Sequence, residues 1–455
     1  MTDNRPPGPE GAPSGGECPA GYFARRSFLQ TTVAAGLAGA ASVSLLDGAT
    51  AHGATAHGAT AHGATAHAAM APNAAPGAGK AVERAKPIPF HGEHQAGIAT
   101  LPQRDATFVS FDVTASDRKA LTDLFRTLTT RARFLTQGGT PPKTSPDSPP
   151  SDTGILGPEV VPDDLTVTVA LGASFFDDRF GLAARKPVQL VTMTPFAHDD
   201  LDPALSQGDL LLQVCATNRD TTVYALLDLL AHTSGALKPR WRIDGTRNPP
   251  RPVGVPRDWF GFKDGISNPD VTNAAQLNQQ VWVQPRTDEP AWAAGGTYQV
   301  LRIVHFRIEK WQQVPLAEQE RIFGRRKVSG APMYAQDPNA SDLFDPIYTN
   351  DPQGLITPLN SHVRLANPQT PETAATSTIL RRSYDYDRSP DVRGGLDLGH
   401  AFCCFQRELD TYIAMQTRLE GEALVPYISP RGGGYFFAVP GVRDDRDYYA
   451  RELLA

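Results

Sequence analysis

Twice along the chain, apolar and polar positions run through the same order of elements. From Asp105 to Val113, Phe108, Ser110 and Asp112 alternate with Val109, Phe111 and Val113, a period of two that predicts a strand. Ser116 then suits a helix N-cap, and Leu121, Leu124, Phe125, Leu128 and Ala132 fall on one face of the helix that follows. Residues 138–164 are rich in Pro, Ser and Gly and predict a surface loop. Further strands are expected at Leu165–Leu171, Asp209–Ala216 and near Trp241–Ile243, with a second helix over roughly Thr221–Leu230.

The order returns in the second half. Tyr298–Ile308 predicts a strand, and Pro315 suits the first turn of a helix that carries Leu316, Ile322 and Phe323 and ends on Gly324. Strand-like sequence follows at Ile379–Arg382 and His400–Gln406, then a helix with Leu409, Tyr412, Ile413 and Leu419, then a strand at Gly434–Val439. Each half therefore reads β-α-β-β-α-β, a ferredoxin-like unit. The expected fold class is α+β, two such units with antiparallel sheets, over residues 88–250 and 255–447. The second half also carries a long irregular insertion, Arg326–Thr376, and loops of that length in a compact domain are usually functional.

Composition narrows the classes. The chain has 455 residues, 40% of them hydrophobic, enough for two cores. Its net charge of −6, with both signs interspersed and no basic stripe among aromatics, argues against a nucleic-acid partner. The four cysteines, Cys18, Cys215, Cys403 and Cys404, contain no CxxC pair, which argues against a zinc or iron–sulfur site. Near the N-terminus, Arg25 and Arg26 precede a short Gly/Ala-rich apolar run from Thr31 to Leu46. A twin arginine before such a run predicts export of a folded protein, to the periplasm or outside the cell. Four copies of Gly-Ala-Thr-Ala-His follow, ending at His52, His57, His62 and His67, so residues 1–70 read as signal and low-complexity sequence. The histidines would serve as loose transition-metal ligands or as nothing more than a slipped repeat.

Chemistry concentrates in three places. In Trp259-Phe260-Gly261-Phe262-Lys263-Asp264-Gly265-Ile266-Ser267-Asn268-Pro269, two glycines bracket one acid. Asp264 is either an Asx-type turn residue that satisfies nearby backbone N–H groups, or an acid aimed at a ligand. The insertion contains Ser361-His362-Val363-Arg364-Leu365-Ala366-Asn367-Pro368, and Ile379-Leu380-Arg381-Arg382-Ser383-Tyr384 follows it.

These three pieces, in this order, resemble the signature of the dye-decolourising haem peroxidases. The opening Phe90-His91-Gly92-Glu93-His94-Gln95-Ala96-Gly97-Ile98 and the closing Gly432-Gly433-Gly434-Tyr435-Phe436-Phe437 resemble that family's ends, so the likeness spans residues 88–442. The exported deferrochelatase/peroxidase type of bacterial ferrous-iron uptake systems shares the twin-arginine signal. The resemblance implies haem b, held mainly by the C-terminal unit, with His362 as proximal iron ligand, Asp264 as distal acid and Arg381 as distal arginine. Gly265, Ile266 and Ser267, and Asn367, Pro368 and Gln369, match segments that line the haem. Gln369 stands where Arg is usual, and the interval from His362 to Arg381 is one residue longer than expected. The implied partners are hydrogen peroxide and a reducing substrate, iron-uptake proteins at the membrane, and further copies of the chain. The alternative implied activity is release of iron from haem. An ordinary carboxylate pKa of about 4 for Asp264 would suit an acidic optimum.

Overall fold

The computed structural model describes residues 87–251, 254–285, 288–342, 347–388, 390 and 395–455. The export signal and the histidine repeat lie outside the described residues. All described residues belong to one compact unit, Ala78–Ala455.

The first half contains β1 (Asp105–Val113), α1 (Arg118–Gln137), β2 (Thr166–Gly172), β3 (Leu210–Ala216), α2 (Arg219–His232) and β4 (Leu237–Thr246). The second contains α3 (Ala274–Gln280), β5 (Thr297–Phe306), α4 (Ile308–Trp311), α5 (Leu316–Phe323) and α6 (His362–Ala366). It continues through β6 (Leu380–Arg381), β7 (Tyr384–Asp387), β8 (Leu398–Gln406), α7 (Leu409–Leu419), β9 (Ile428–Ala438) and α8 (Arg451–Leu454). Within each half the strands are antiparallel, in the order β4-β1-β3-β2 and β9-β5-β8-β7. Both are the ferredoxin-like order expected from the sequence. α1 is capped by Asp117, whose side chain accepts from the Ala120 N–H, and not by Ser116. The aspartate is the residue that places the acceptor three positions before an unpaired helical N–H. α5 ends on Gly324 at φ 85, as its Gly predicts.

The two sheets are joined at both edges. Ala170–Gly172 of β2 pair with Phe436–Ala438 of β9, and Thr246 of β4 pairs with Asp385 of β7. Since β5 pairs with both β8 and β9, the strands close into a ring. Closure buries both faces of most strands, so β2 and β3 are buried along their whole length. One face packs Phe108, Leu211, Ile243, Leu301, Cys403 and Phe436 against each other. The opposite face meets the helices, with Val109, Leu212 and Val300 in one core with Leu124, Leu128 and Leu229. A third, smaller aromatic core joins Phe260, Phe262, Phe306, Trp311, Ile322 and Leu424 beside the glycine-bracketed turn. Its rings stack in pairs, Phe260 on Phe306 at 4.0 Å and Phe262 on Phe323 at 3.9 Å.

Candidate active site

A cavity of about 660 Å³ lies in the C-terminal half, within the range of small-molecule and cofactor sites, and every residue that lines it falls between Asp258 and Pro430. Asp264, Ile266, Ser267, His362, Asn367, Gln369 and Arg381 all line it. Gly265 and Pro368 are not among its lining residues.

His362 is the first residue of the five-residue α6, and an irregular insertion can hold it because the segment before it is pinned from beneath. The Asp351 carboxylate accepts from the backbone N–H groups of Leu355, Ile356 and Thr357. Although burial opposes it, those donors and Arg364 hold this carboxyl below its ordinary range. Arg364, on the same short helix as His362, donates to the Thr357 and Asp351 carbonyls and to the Asp351 carboxylate. The His362 ring is then oriented by Glu422, whose Oε2 lies 2.5 Å from Nδ1. That leaves Nε2 for the cavity. Burial disfavours the imidazolium, but the Glu422 charge and hydrogen bond outweigh it and raise the His362 pKa. Glu422 was not identifiable from the sequence, because it sits 60 residues away in the turn after α7.

Asp264 both accepts a backbone bond within its own turn and lines the cavity. Arg381 Nη1 donates to its Oδ1 at 3.1 Å, and the Gly265 N–H supplies a backbone bond. The turn needs Gly265, which has φ +95. Asn268 clamps the turn to β6: its Nδ2 donates to the Arg381 carbonyl at 2.7 Å and its Oδ1 accepts from the Arg381 N–H at 3.1 Å. Burial pushes the Asp264 pKa up, but Arg381, His400 and Arg247 together hold it below the ordinary 3.8. The adjacent Arg382 points away, fully buried, and donates to the Thr100 carbonyl and Gln103.

Sequence reasoning missed several polar residues of the cavity. His400, on β8, has Nδ1 2.8 Å from Asp385 Oδ1. Asp258 is pushed up to about 7 by burial and by the charges of Asp385 and Asp264. Arg302, on β5, pairs with Asp199 and lies over the Phe196 ring. All three cavity residues belong to strand or turn runs that look like ordinary core, and no local motif marks them. Among the described residues, no cluster of His, Cys, Asp and Glu has the geometry to hold a metal ion by itself. Cys215, Cys403 and Cys404 are buried free thiols.

Comparison with known proteins agrees with this geometry. The profile of the Dyp-type peroxidase N-terminal family matches residues 95–247, and that of the C-terminal family matches residues 255–443. A deferrochelatase of Escherichia coli K12 is 47% identical over 387 residues, covering 84% of this chain and 90% of that protein. A deferrochelatase of Yersinia pestis is 46% identical over 382 residues, covering 83% and 87%. Among solved structures, a DyP-type peroxidase of Streptomyces coelicolor superposes with a TM-score of 0.72 at 30% identity, covering 82% of this chain and 98% of that one. One from Cellulomonas bogoriensis gives 0.70 at 31%, covering 81% and 98%. With family profiles and relatives both spanning most of its length, the chain belongs to the Dyp-type peroxidase family.

Proposed function

We propose that this peroxidase reduces hydrogen peroxide at a haem b group bound in the cavity, with His362 as the iron ligand and Asp264 and Arg381 acting on the peroxide. The observation that carries the reading is one cavity that joins an imidazole held by a buried carboxylate to a carboxylate paired with an arginine.

The lining fits the group. Glu422 takes Nδ1 of His362 and leaves Nε2 for the metal, the usual arrangement for a ligating histidine. Arg302 is only 2% exposed, yet its Nε and Nη1 have no hydrogen-bond partner. Free donors on a guanidinium fork suit a carboxylate such as a haem propionate. Nε of Arg326, also on the cavity, is in the same state. These arginines supply the cationic surface that Gln369 does not. Ile266, Phe402, Met415, Leu419 and Leu424 give apolar surface for a porphyrin face.

When bound, haem supplies the redox centre. The chain's residues manage protons and charge. Peroxide must lose a proton from one oxygen and gain one on the other before the O–O bond breaks. Asp264 is ionised at neutral pH and takes that proton, then returns it to the departing oxygen. Arg381 holds Oδ1, so Oδ2 is the atom left to carry the proton. Arg381 stays charged throughout and stabilises negative charge on the departing oxygen.

Three outcomes are expected. His362→Ala should lose most haem, and Glu422→Gln should weaken haem retention about 10–100-fold and raise the iron midpoint potential, since a less basic imidazole stabilises the oxidised metal less. Haem transfer to an acceptor globin and spectroelectrochemistry measure these; full occupancy with an unchanged spectrum in His362→Ala would sink the ligand assignment.

Asp264→Asn should keep haem while the rate with peroxide falls roughly 10²–10⁴-fold. Because the Asp264 pKa lies below 3.8, the wild-type acid limb should fall below that pH. Arg381→Leu should cost about 10²–10³-fold and also move the acid limb upward, as the cation that favours the carboxylate is gone. Rapid mixing with peroxide across pH, followed at the Soret band, reads both effects. An unshifted limb in Arg381→Leu would contradict the coupling.

Replacing Arg25 and Arg26 by Lys should hold the precursor in the cytoplasm, in line with our proposal that the protein leaves by the twin-arginine route. Undiminished exported protein in cell fractionation would count against it. The name of the 46–47% identical relatives supports a second reading, in which the same cavity releases iron from haem. Recovery of metal-free protoporphyrin from the holoprotein under reducing conditions distinguishes that activity from peroxide turnover; intact haem throughout leaves the peroxidase reading alone.

A further inference from the structure

β8 carries a titratable residue into the cavity for which the peroxidase reading has no use. His400 lines the cavity, with its side chain 13% exposed. Its place is set by the sheet, opposite Val304 of β5 and Asp385 of β7. The Phe306 ring lies nearly parallel to it, 16° between planes. Nδ1 is 2.8 Å from Asp385 Oδ1, and Nε2 is 3.7 Å from Asp264 Oδ2. Asp385 cannot turn away, because its Oδ2 accepts from Asn248 Nδ2 at 3.0 Å. One imidazole thus stands between two carboxylates, and one of those two is the acid already assigned to peroxide.

The charged and titratable groups facing His400 are Asp385 on β7 and Asp264 and Asp258 on the segment before α3. Arg381 on β6 and Arg247 just after β4 act on it through those carboxylates. Burial works against the imidazolium, but the hydrogen bond and charge of Asp385, with Asp264 and Asp258, outweigh it and raise the His400 pKa.

We propose that His400, held by Asp385, is a second proton-handling residue of the cavity and supplies protons to Asp264. This rests on the reading of Asp264 as the acid–base group. Reduction of one peroxide to two waters consumes two protons along with the two electrons that the donor provides. The His400 cation carries hydrogen on both ring nitrogens, one on Asp385 and one facing Asp264. In the transfer the Nε2–H bond breaks and an O–H bond forms at Oδ2. Neutral imidazole remains, with Nδ1–H still on Asp385, and no electrons are exchanged. Asp264 passes the proton to an oxygen that leaves as water, and His400 regains one at Nε2 from solvent. N–H···O bonds form near ~2.9 Å, so a small side-chain approach closes the present gap. His400 acts through Asp264 and is a positioning residue for it.

The test compares wild type, His400→Gln and Asp385→Asn as holoproteins, with the Soret band as the control for haem binding. In His400→Gln, loss of the cation should move the acid limb of the peroxide reaction up by about 1 pH unit. The alkaline limb, which in wild type should lie above the ordinary histidine value of 6.5, should disappear. In Asp385→Asn the carboxylate that raises His400 is gone, so the alkaline limb should move to lower pH. Association of cyanide, which enters as hydrogen cyanide and must give up its proton to a base, should show the acid-limb shift without turnover. A merely structural role would lower the rates evenly and leave both limbs where they are, and that result overturns the proposal. Should His400→Gln not retain haem, Asp385→Asn decides alone. If Asp264→Asn abolishes the acid limb while the His400 and Asp385 variants shift nothing, only the role of His400 fails. If Asp264→Asn itself leaves the profile intact, the reading of Asp264 fails and this inference with it.

Discussion

Closure of the sheet is the constraint from which the rest follows. Because β2 pairs with β9 and β4 with β7, most strands of the ring have both faces buried, with β4 the exception at the exposed Lys238, Arg240 and Arg242. Charges are costly in such a place unless they are paired. The site is therefore assembled mostly from pieces outside the long strands: a glycine-bracketed turn, a five-residue helix, and the two-residue β6. Where the long strands do place polar groups on the cavity, as at Arg302 and His400, each has a buried carboxylate beside it.

Irregular segments need their own scaffolding to hold side chains still, and here it is built from side chain–backbone bonds. Asp351 collects three successive N–H groups of the insertion, and Arg364 ties that carboxylate to the helix that carries His362. Asn268 does the same for the turn, using both ends of its amide on the Arg381 backbone. A loop so tied presents its functional group nearly as rigidly as a strand would, while keeping the freedom of direction that a strand lacks.

Much of this was legible in the sequence, for reasons that differ by level. The strand and helix order could be read because α1 keeps a one-sided apolar stripe, with Leu121, Leu124, Phe125, Leu128 and Ala132 all buried. Boundaries were weaker where both faces of a strand are buried, since alternation then disappears; β9 begins at Ile428, six residues before the expected strand. β7 and α6 were not foreseen, being four and five residues long and held by tertiary contacts instead of local pattern. Asp264, His362 and Arg381 stood out by motif. Glu422, His400 and Asp385 did not, because what makes them matter is a neighbour brought from 60, 136 and 15 residues away respectively.

Two carboxylates on the same cavity show how the environment divides labour. Asp264 and Asp258 are six positions apart, and both are partly buried on the lining of the cavity. Burial raises both, yet Asp264 has Arg381, His400 and Arg247 around it and ends below its ordinary value. Asp258 faces Asp385 and Asp264, receives less compensation, and ends near 7. One is therefore a base ready at any moderate pH, and the other holds a proton close to neutrality. Pairs pushed apart in this way are what acid–base chemistry at a single site requires. Three carboxylates share one imidazole here, so adding or removing a proton at any member shifts the others. Variants at Asp264, His400 and Asp385 are therefore what separates the members' contributions to a pH profile of this cavity.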